Sequence, residues 1–385
     1  MTKAAAILTA CLFIALVLVL GVLSVRPLLG YEAQANLNLV NGEWARELEG
    51  HYDDQFPVRD LGTNLWAAIN YSLFEEGRLG VVVGRQGWLF SEEEFYPAEL
   101  GGDLVARNLE RVTQVSQYLR ARGIPLVVLV VPAKARIYSE KLAGTNPEAV
   151  MASLYDRFLS NLASAKVAAP DLAPALEQAQ RDGQRVFLRT DTHWTPVGAD
   201  LFARHAATFI RERFPQQSWG EQTFITSVEE PVTHRGDLLT YIPVAPAFTE
   251  FGPTPDQLKP RTTEEAAKHS ANANANALFG GSTAETVLVG TSYSANRLWN
   301  FPGALRQHLG RDLINVADEG QGPIQPMTDY LQSSDFRDQP PQLVIWEFPE
   351  RYLAQPVESE QALSWFRQVD KLLAATSGRS SETNP

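Results

Sequence analysis

Apolar positions in this chain fall into one long uncharged run followed by many short blocks. Ala4 to Val25 is 22 residues without a charge. At about 1.5 Å per helical residue, such a run spans the roughly 30 Å hydrocarbon core of a bilayer. Arg26, Pro27, Leu28 and Leu29 follow it, with no small-x-small cleavage site. The run predicts an uncleaved signal anchor that leaves residues 30–385 outside the cytoplasm; a cleaved signal peptide is the alternative. Lys3 and Arg26 oppose each other across the span, so the charge rule for orientation is weak. Cys11 lies within the run, which continues well past it, and reads as a small anchor residue rather than a lipobox cysteine.

Beyond the anchor, helical patterns cover Glu43 to Tyr52 and Leu61 to Phe74. Val81 to Val83 leads through a glycine-punctuated turn, Gly84 to Gly87, into an aromatic strand at Trp88–Phe90. Leu104 to Arg122 has the spacing of an amphipathic helix. Ile124 to Val131 (IPLVVLVV) is apolar at nearly every position, as expected for a parallel strand covered on both faces. Val186–Leu188, Thr286–Val289, Leu313–Val316 and Leu343–Phe348 read as further strands. Helices are expected from Pro196 to Phe214 and from the end of Thr286–Val289 to Leu309. Strands alternating with helices predict an α/β fold, a parallel sheet with flanking helices. Residues 268–284 (KHSANANANALFGGSTA) read as a surface loop and TSGRSSETNP as a disordered tail.

Composition narrows the function. A formal charge of −12 argues against a general nucleic-acid-binding surface, which rests on lysine and arginine. One cysteine excludes an intramolecular disulfide, a zinc ribbon and a CxxC pair, and with six histidines scattered along the chain no metal site is expected.

Two stretches carry candidate chemistry. In Arg189–Pro196 (RTDTHWTP), Asp191 and His193 fall on the turn after a strand, with Thr195 and Pro196 placed as helix N-cap and first helical residue. A carboxylate two residues from an imidazole can fix its tautomer and leave the other nitrogen as a base. The alternative is a capping Asp and a surface His. In Glu285–Ser294 (ETVLVGTSYS), a strand runs through Gly290-x-Ser292 into a helix, the layout of a nucleophile elbow. Here Ser292 as a plain N-cap is the alternative. Converging at one sheet edge, the three residues would activate Ser292 for acyl transfer.

DTHW and GTSYS, in that order, resemble the AlgJ/AlgX family of alginate O-acetyltransferases. So do Asp54–Arg59 (DQFPVR), Gly84–Phe90 (GRQGWLF), Val131–Tyr138 (VPAKARIY) and Ile345–Arg351 (IWEFPER). The resemblance spans roughly residues 40–355 and implies an SGNH-hydrolase-like domain with Asp191, His193 and Ser292 as the triad. It implies no cofactor, and an inner-membrane-anchored protein with its catalytic domain in the periplasm. The partners it implies are a membrane-bound O-acyltransferase supplying acetyl and other polysaccharide acetylation and export subunits. Either the polysaccharide or an acetyl-accepting protein would then take acetyl from an ester donor. Length and anchor are closer to the AlgJ type, since AlgX-type members carry an additional carbohydrate-binding module. The chain departs from ordinary SGNH enzymes, whose serine comes early and whose Asp-x-x-His comes late, and this leaves the oxyanion donor unassigned.

On this basis residues 1–30 are the anchor, 31–95 a helical segment packing on the catalytic domain, 96–375 the SGNH-like domain and 376–385 the disordered tail. Lys134, Tyr138, Trp194 and Arg297 are secondary candidates for substrate or oxyanion contacts. A solvated Lys, a packed Tyr and core or surface roles are their alternatives, as for Asn296. Trp88 and Trp346 read as core, and Glu92–Glu94 as a solvated acidic turn. A carbohydrate acetylesterase with the same triad, or a non-catalytic subunit of the acetylation complex, are the rival functions. The acidic charge further suggests that the chain relays acetyl rather than gripping a polyuronate.

Overall fold

The computed structural model describes residues 3–32, 38–56, 58–95, 102–144, 153–266, 285–357 and 359–381. They form two compact units, one of residues up to Glu76 with Ile242–Gly252, the other of Gly77–Tyr241 with the residues from Pro253 onward. The division thus falls at Glu76, not at residue 95, and the smaller unit borrows a segment from far along the chain. The expected loop at 268–284 lies outside the described residues.

In the smaller unit, helix α1 (Lys3–Leu29) is long and apolar enough to cross a membrane. Helix α2 (Glu43–Gln55) meets its end, where His51 Nε2 lies 3.2 Å from the Pro27 carbonyl and the Tyr31 ring packs against Trp44 and His51. Helix α3 (Arg59–Ile69) runs into a π-helical turn, Asn70–Phe74. Asn64 on α3 donates to the Pro243 carbonyl at 2.6 Å, tying in the borrowed segment.

The larger unit begins with the antiparallel pair β1 (Val81–Val83) and β2 (Leu89–Ser91). Helix α4 (Gly102–Arg120) precedes β3 (Leu126–Val131), and the one-turn α5 (Lys134–Ile137) follows it. Then come α6 (Leu154–Ser164), α7 (Ala173–Arg181) and α8 (Pro196–Arg213). Two small antiparallel pairs come next, β4 (Phe224–Val228) with β7 (Arg261–Glu265), and β5 (Val232–His234) with β6 (Asp256–Leu258). Strand β8 (Thr286–Val289), the one-turn α9 (Ser292–Ala295), α10 (Phe301–Leu309), β9 (Ile314–Asn315), α11 (Ile324–Gln332) and α12 (Ser334–Asp338) lead to β10 (Leu343–Pro349) and α13 (Glu360–Ser381).

The main sheet is parallel, in the order β3-β10-β8-β9. Its strands lack alternation because both faces are covered. Val127, Leu129, Leu288 and Ile345 enter one core with residues of α8 and α10; Val128, Val130, Val289, Val344 and Trp346 enter another with residues of α4, α6 and α13. Trp88 and Trp346 are buried, as core tryptophans.

Three expectations are corrected. Val186–Leu188 joins no sheet; it is one arm of a tight hairpin, bridged Phe187 to Trp194, with Leu188 N donating to His193 O at 3.0 Å and Thr195 N to Val186 O at 2.9 Å. The returning arm pairs with these three apolar residues, and Val186 N donates to the Tyr138 hydroxyl at 3.0 Å, so they do not need the ladder. The helix expected up to Leu309 is broken, since Asn300 at φ 54° separates a 3₁₀ turn, Arg297–Trp299, from α10. Finally, α13 continues through Ser381, so 376–381 are helical rather than disordered, carried on from an apolar face at Ala362, Trp365, Phe366 and Val369.

Candidate active site

Ser292 stands where β8 ends and α9 begins. Gly290 allows a close approach there: a Cβ on it would lie 2.5 Å from Glu347 Oε2 and 2.8 Å from Ser294 Oγ, and both side chains would have to move. The strand register explains Glu347: Trp346 on β10 pairs with Val289 on β8, so the next residue falls beside the turn. Its buried carboxylate accepts from Thr291 N at 3.0 Å, Thr291 Oγ1 at 3.1 Å and Ser294 Oγ at 2.7 Å. Burial raises its pKa, opposed by those hydrogen bonds.

Asp191 and His193 sit on the hairpin turn. His193 Nε2 lies 2.7 Å from Ser292 Oγ, and His193 Nδ1 lies 2.7 Å from Asp191 Oδ1, which also accepts from His193 N at 2.9 Å. With Nδ1–H donated to the carboxylate, Nε2 is left as the acceptor for the serine hydroxyl. Burial by itself would raise the Asp191 pKa. The hydrogen bonds from His193 and His234 outweigh it and hold the carboxyl well below the usual range. Asp191 therefore stays ionised beside the imidazole.

Two supports hold the hairpin. From one side comes Lys134, only 1% exposed, whose Nζ donates to the carbonyls of Leu89 (2.5 Å), Arg189 (3.0 Å) and Asp191 (2.9 Å). Burial lowers its pKa to about 8 against the pull of nearby carboxylates, Glu94 first. From another side comes the β5–β6 pair. Asp256 on β6 accepts from Arg189 N, Thr190 N and Thr190 Oγ1 at 3.1, 2.8 and 2.7 Å, and His234 on β5 reaches Asp191 Oδ2 at 2.7 Å. Gly236 lets this segment approach, since a Cβ there would lie 2.0 Å from the Thr190 carbonyl oxygen. Asp237 donates its amide to Asp191 Oδ2 at 3.1 Å and accepts from Thr192 N and Thr192 Oγ1 at 2.8 and 2.6 Å.

The structure thus brings Asp191, His193 and Ser292 together and gives the secondary candidates other roles. Lys134 has its three donor bonds filled by backbone carbonyls and is no substrate contact. Tyr138 is core, stacked on Trp88 at 4.1 Å, its hydroxyl accepting from Val186 N. Trp194 is fully buried among Tyr293, Phe202 and Phe301. Asn296 is occupied in capping, accepting from Leu298 N at 3.0 Å. Arg297 is exposed and has no side-chain partner among the described residues. Glu92–Glu94 is not a solvated turn either. Glu94 is buried and accepts from Ala135 N at 2.7 Å, and burial pushes its pKa up to about 7.

His234, Asp237, Asp256, Trp299 and Glu347 were not singled out in the sequence. The acidic residue inside an otherwise apolar strand at IWEFP was the available signal for Glu347. His-Arg-Gly-Asp at 234–237 was one for His234, though weak. Asp191, His193 and Asp237 also bring donor atoms within 4.8 Å of one another, a spacing a cation could bridge. The His193 and Asp191 atoms, like the Asp237 carboxylate, already have hydrogen-bond partners, so the arrangement reads as a hydrogen-bonded relay.

A parallel α/β sheet that presents Ser292 at the end of β8, met there by an Asp–His pair on a separate hairpin, defines an SGNH-hydrolase-like acyl-transfer domain. The chain belongs to the family described as "SGNH hydrolase-like domain, acetyltransferase AlgX", whose model matches residues 81–350. It is 47% identical over 361 residues to "Probable alginate O-acetylase AlgJ" of Pseudomonas fluorescens, covering 94% of this chain and 90% of that one. It is 29% identical to "Alginate biosynthesis protein AlgX" of Pseudomonas putida over 337 residues, 84% of this chain and 67% of the other. Among solved structures, the O-acetyltransferase domain of Pseudomonas putida AlgJ is similar at TM-score 0.67 and 41% identity, covering 75% of this chain and 98% of that one.

Proposed function

We propose that this chain is an O-acetyltransferase of alginate biosynthesis that carries acetyl on Ser292. The observation that carries the reading is the continuous 2.7 Å chain from Asp191 Oδ1 through His193 to Ser292 Oγ, in a member of an acetyltransferase family. In the first step His193 Nε2 takes the Ser292 proton as Oγ attacks the carbonyl carbon of an acetyl ester. The tetrahedral intermediate collapses, the ester C–O bond breaks, and the leaving alcohol takes the proton back from His193. In the second step His193 removes the proton of an acceptor hydroxyl, which attacks acetyl-Ser292; the acyl C–Oγ bond breaks and Oγ takes the proton from His193, restoring the free serine. Asp191 stays ionised throughout, orients the ring and stabilises the imidazolium.

The apolar α1 supports an inner-membrane anchor with the larger unit in the periplasm, where a membrane-bound acyltransferase would supply the acetyl ester. The similarity to AlgX supports a place among alginate acetylation subunits.

The test is acetyl-ester turnover by the full chain in detergent, wild type beside Ser292→Ala, with mass spectrometry of the adduct. Removal of a triad nucleophile is expected to lower turnover by about 10³-fold or more and to abolish the acetyl-serine. Equal turnover by the two proteins would overturn the reading.

A further inference from the structure

The triad carboxylate has two oxygens, and His193 uses only one. Asp191 Oδ1 takes both the ring Nδ1 and the backbone N of His193, while Oδ2 takes His234 Nε2 at 2.7 Å and the Asp237 amide at 3.1 Å. Four donors therefore fix the plane of one carboxylate. The second imidazole comes from β5, on a different part of the chain, and its strand partner Asp256 grips the same loop at Arg189 and Thr190, just before Asp191. Trp299, itself buried, closes the arrangement: its ring lies 5.2 Å from that of His193 at 22°, and 5.5 Å from that of His234 at 86°.

We propose that His234 is a positioning residue for acyl transfer, a second imidazole that holds Asp191 through its outer oxygen so that the inner oxygen stays aimed at His193. This rests on the reading of Ser292 as nucleophile. His234 touches no reacting atom; it acts through Asp191. Without its N–H, Oδ2 keeps only the longer Asp237 bond, and the carboxylate is freer to turn away from the base. The charged groups around His234 are Asp191, Asp237 and Asp256, with Lys134 beyond the Asp191 backbone and Arg235 exposed on its own segment. Hydrogen bonding to Asp191 and these carboxylates raise its pKa against burial, which favours Nε2 as the donor.

The experiment measures kcat and KM of acetyl-ester turnover by the full chain in detergent for wild type, Ser292→Ala, His234→Ala and His234→Gln. For His234→Ala the expected result is a kcat lower by about 10- to 100-fold, the size of effect seen when an outer hydrogen-bond partner that orients a metal-bound histidine is removed. KM is expected to stay within about twofold. His234→Gln, which keeps an N–H near the position of Nε2, should recover most of kcat. The proposal is overturned if His234→Ala keeps the wild-type kcat. It is equally overturned if Ala and Gln lose activity alike, since the ring is then packing only. If wild type and Ser292→Ala turn over equally, the serine reading itself falls, and the assigned role falls with it.

Discussion

The two halves of the site are built in opposite ways. Ser292 rides on the main sheet: β8 delivers it, and the register with β10 puts Glu347 beneath its turn, where that one carboxylate takes up an amide and two hydroxyls. The Asp191–His193 hairpin belongs to no sheet. It is held by Lys134 through three carbonyls, by Asp256 through two amides and a hydroxyl, and by the segment carrying His234 and Asp237. Tyr293, next to the nucleophile, joins the two: its hydroxyl donates to Thr192 O at 2.5 Å and accepts from Arg351 at 3.1 Å. The difference teaches that a strand end already paired in a ladder can present a nucleophile with a single buried carboxylate under its turn. A free hairpin presents a base only if buried polar side chains take up its unpaired carbonyls and amides.

Breaking the larger support should therefore cost most. Lys134→Met leaves three carbonyls facing an apolar side chain and uncovers Glu94. The expected loss is about 3–5 kcal/mol in chemical denaturation of the full chain, with turnover falling in step. If Lys134→Met costs no more than the sheet-side change, the comparison is wrong.

The hairpin's support should also titrate. Buried Glu94, its pKa raised from 4.5 to about 7, binds its proton more tightly in the folded than in the unfolded chain. Its contribution is present below pH 4.5 and is lost as pH rises toward 7, worth about 3 kcal/mol at about 1.4 kcal/mol per pH unit. Glu94→Gln, which keeps an acceptor for the Ala135 amide, should flatten stability across that window; an unchanged slope would assign it to other groups.

On the sheet side, Glu347→Gln turns one acceptor oxygen toward donors as an NH₂. A loss of about 1–3 kcal/mol is expected, with Ser292 still acylated at reduced rate, because the β8–β10 ladder survives. Smallest is Tyr138→Phe. It strips the acceptor from Val186 N at the base of the hairpin and should cost about 1 kcal/mol, with turnover within about twofold of wild type. A loss of activity larger than the loss of stability would return Tyr138 to the cleft.

Much of this was legible in sequence because it is local. The apolar run of α1, the unbroken valines of β3, the cap at Thr195 before Pro196 and the Gly-x-Ser turn all follow from neighbours within a few residues. Asp191 and His193 were legible for the same reason, being two residues apart. What misled was reading charge as solvation or as substrate contact. Lys134 and Glu94 look like surface residues in a one-dimensional string, yet each is buried against backbone donated from other segments. The motifs at 84–90, 131–138 and 345–351 could be recognised, but not what they do together. Leu89 supplies a carbonyl to Lys134, Lys134 spans to the Asp191 loop, and Glu350 accepts from Ala133 N at 2.8 Å just before that lysine.

The sequence alone determined which residues could pair with a neighbour: the helix starts, the strand runs, the imidazole beside its carboxylate, the serine at its turn. Only the tertiary structure decided that 99 residues of separation between His193 and Ser292 would close to 2.7 Å, and that His234 would supply the second hand on Asp191. The physical reason is that backbone propensity and short-range hydrogen bonds act over a few residues. The partners of a buried charge are chosen by whichever distant segments the packed core brings alongside it.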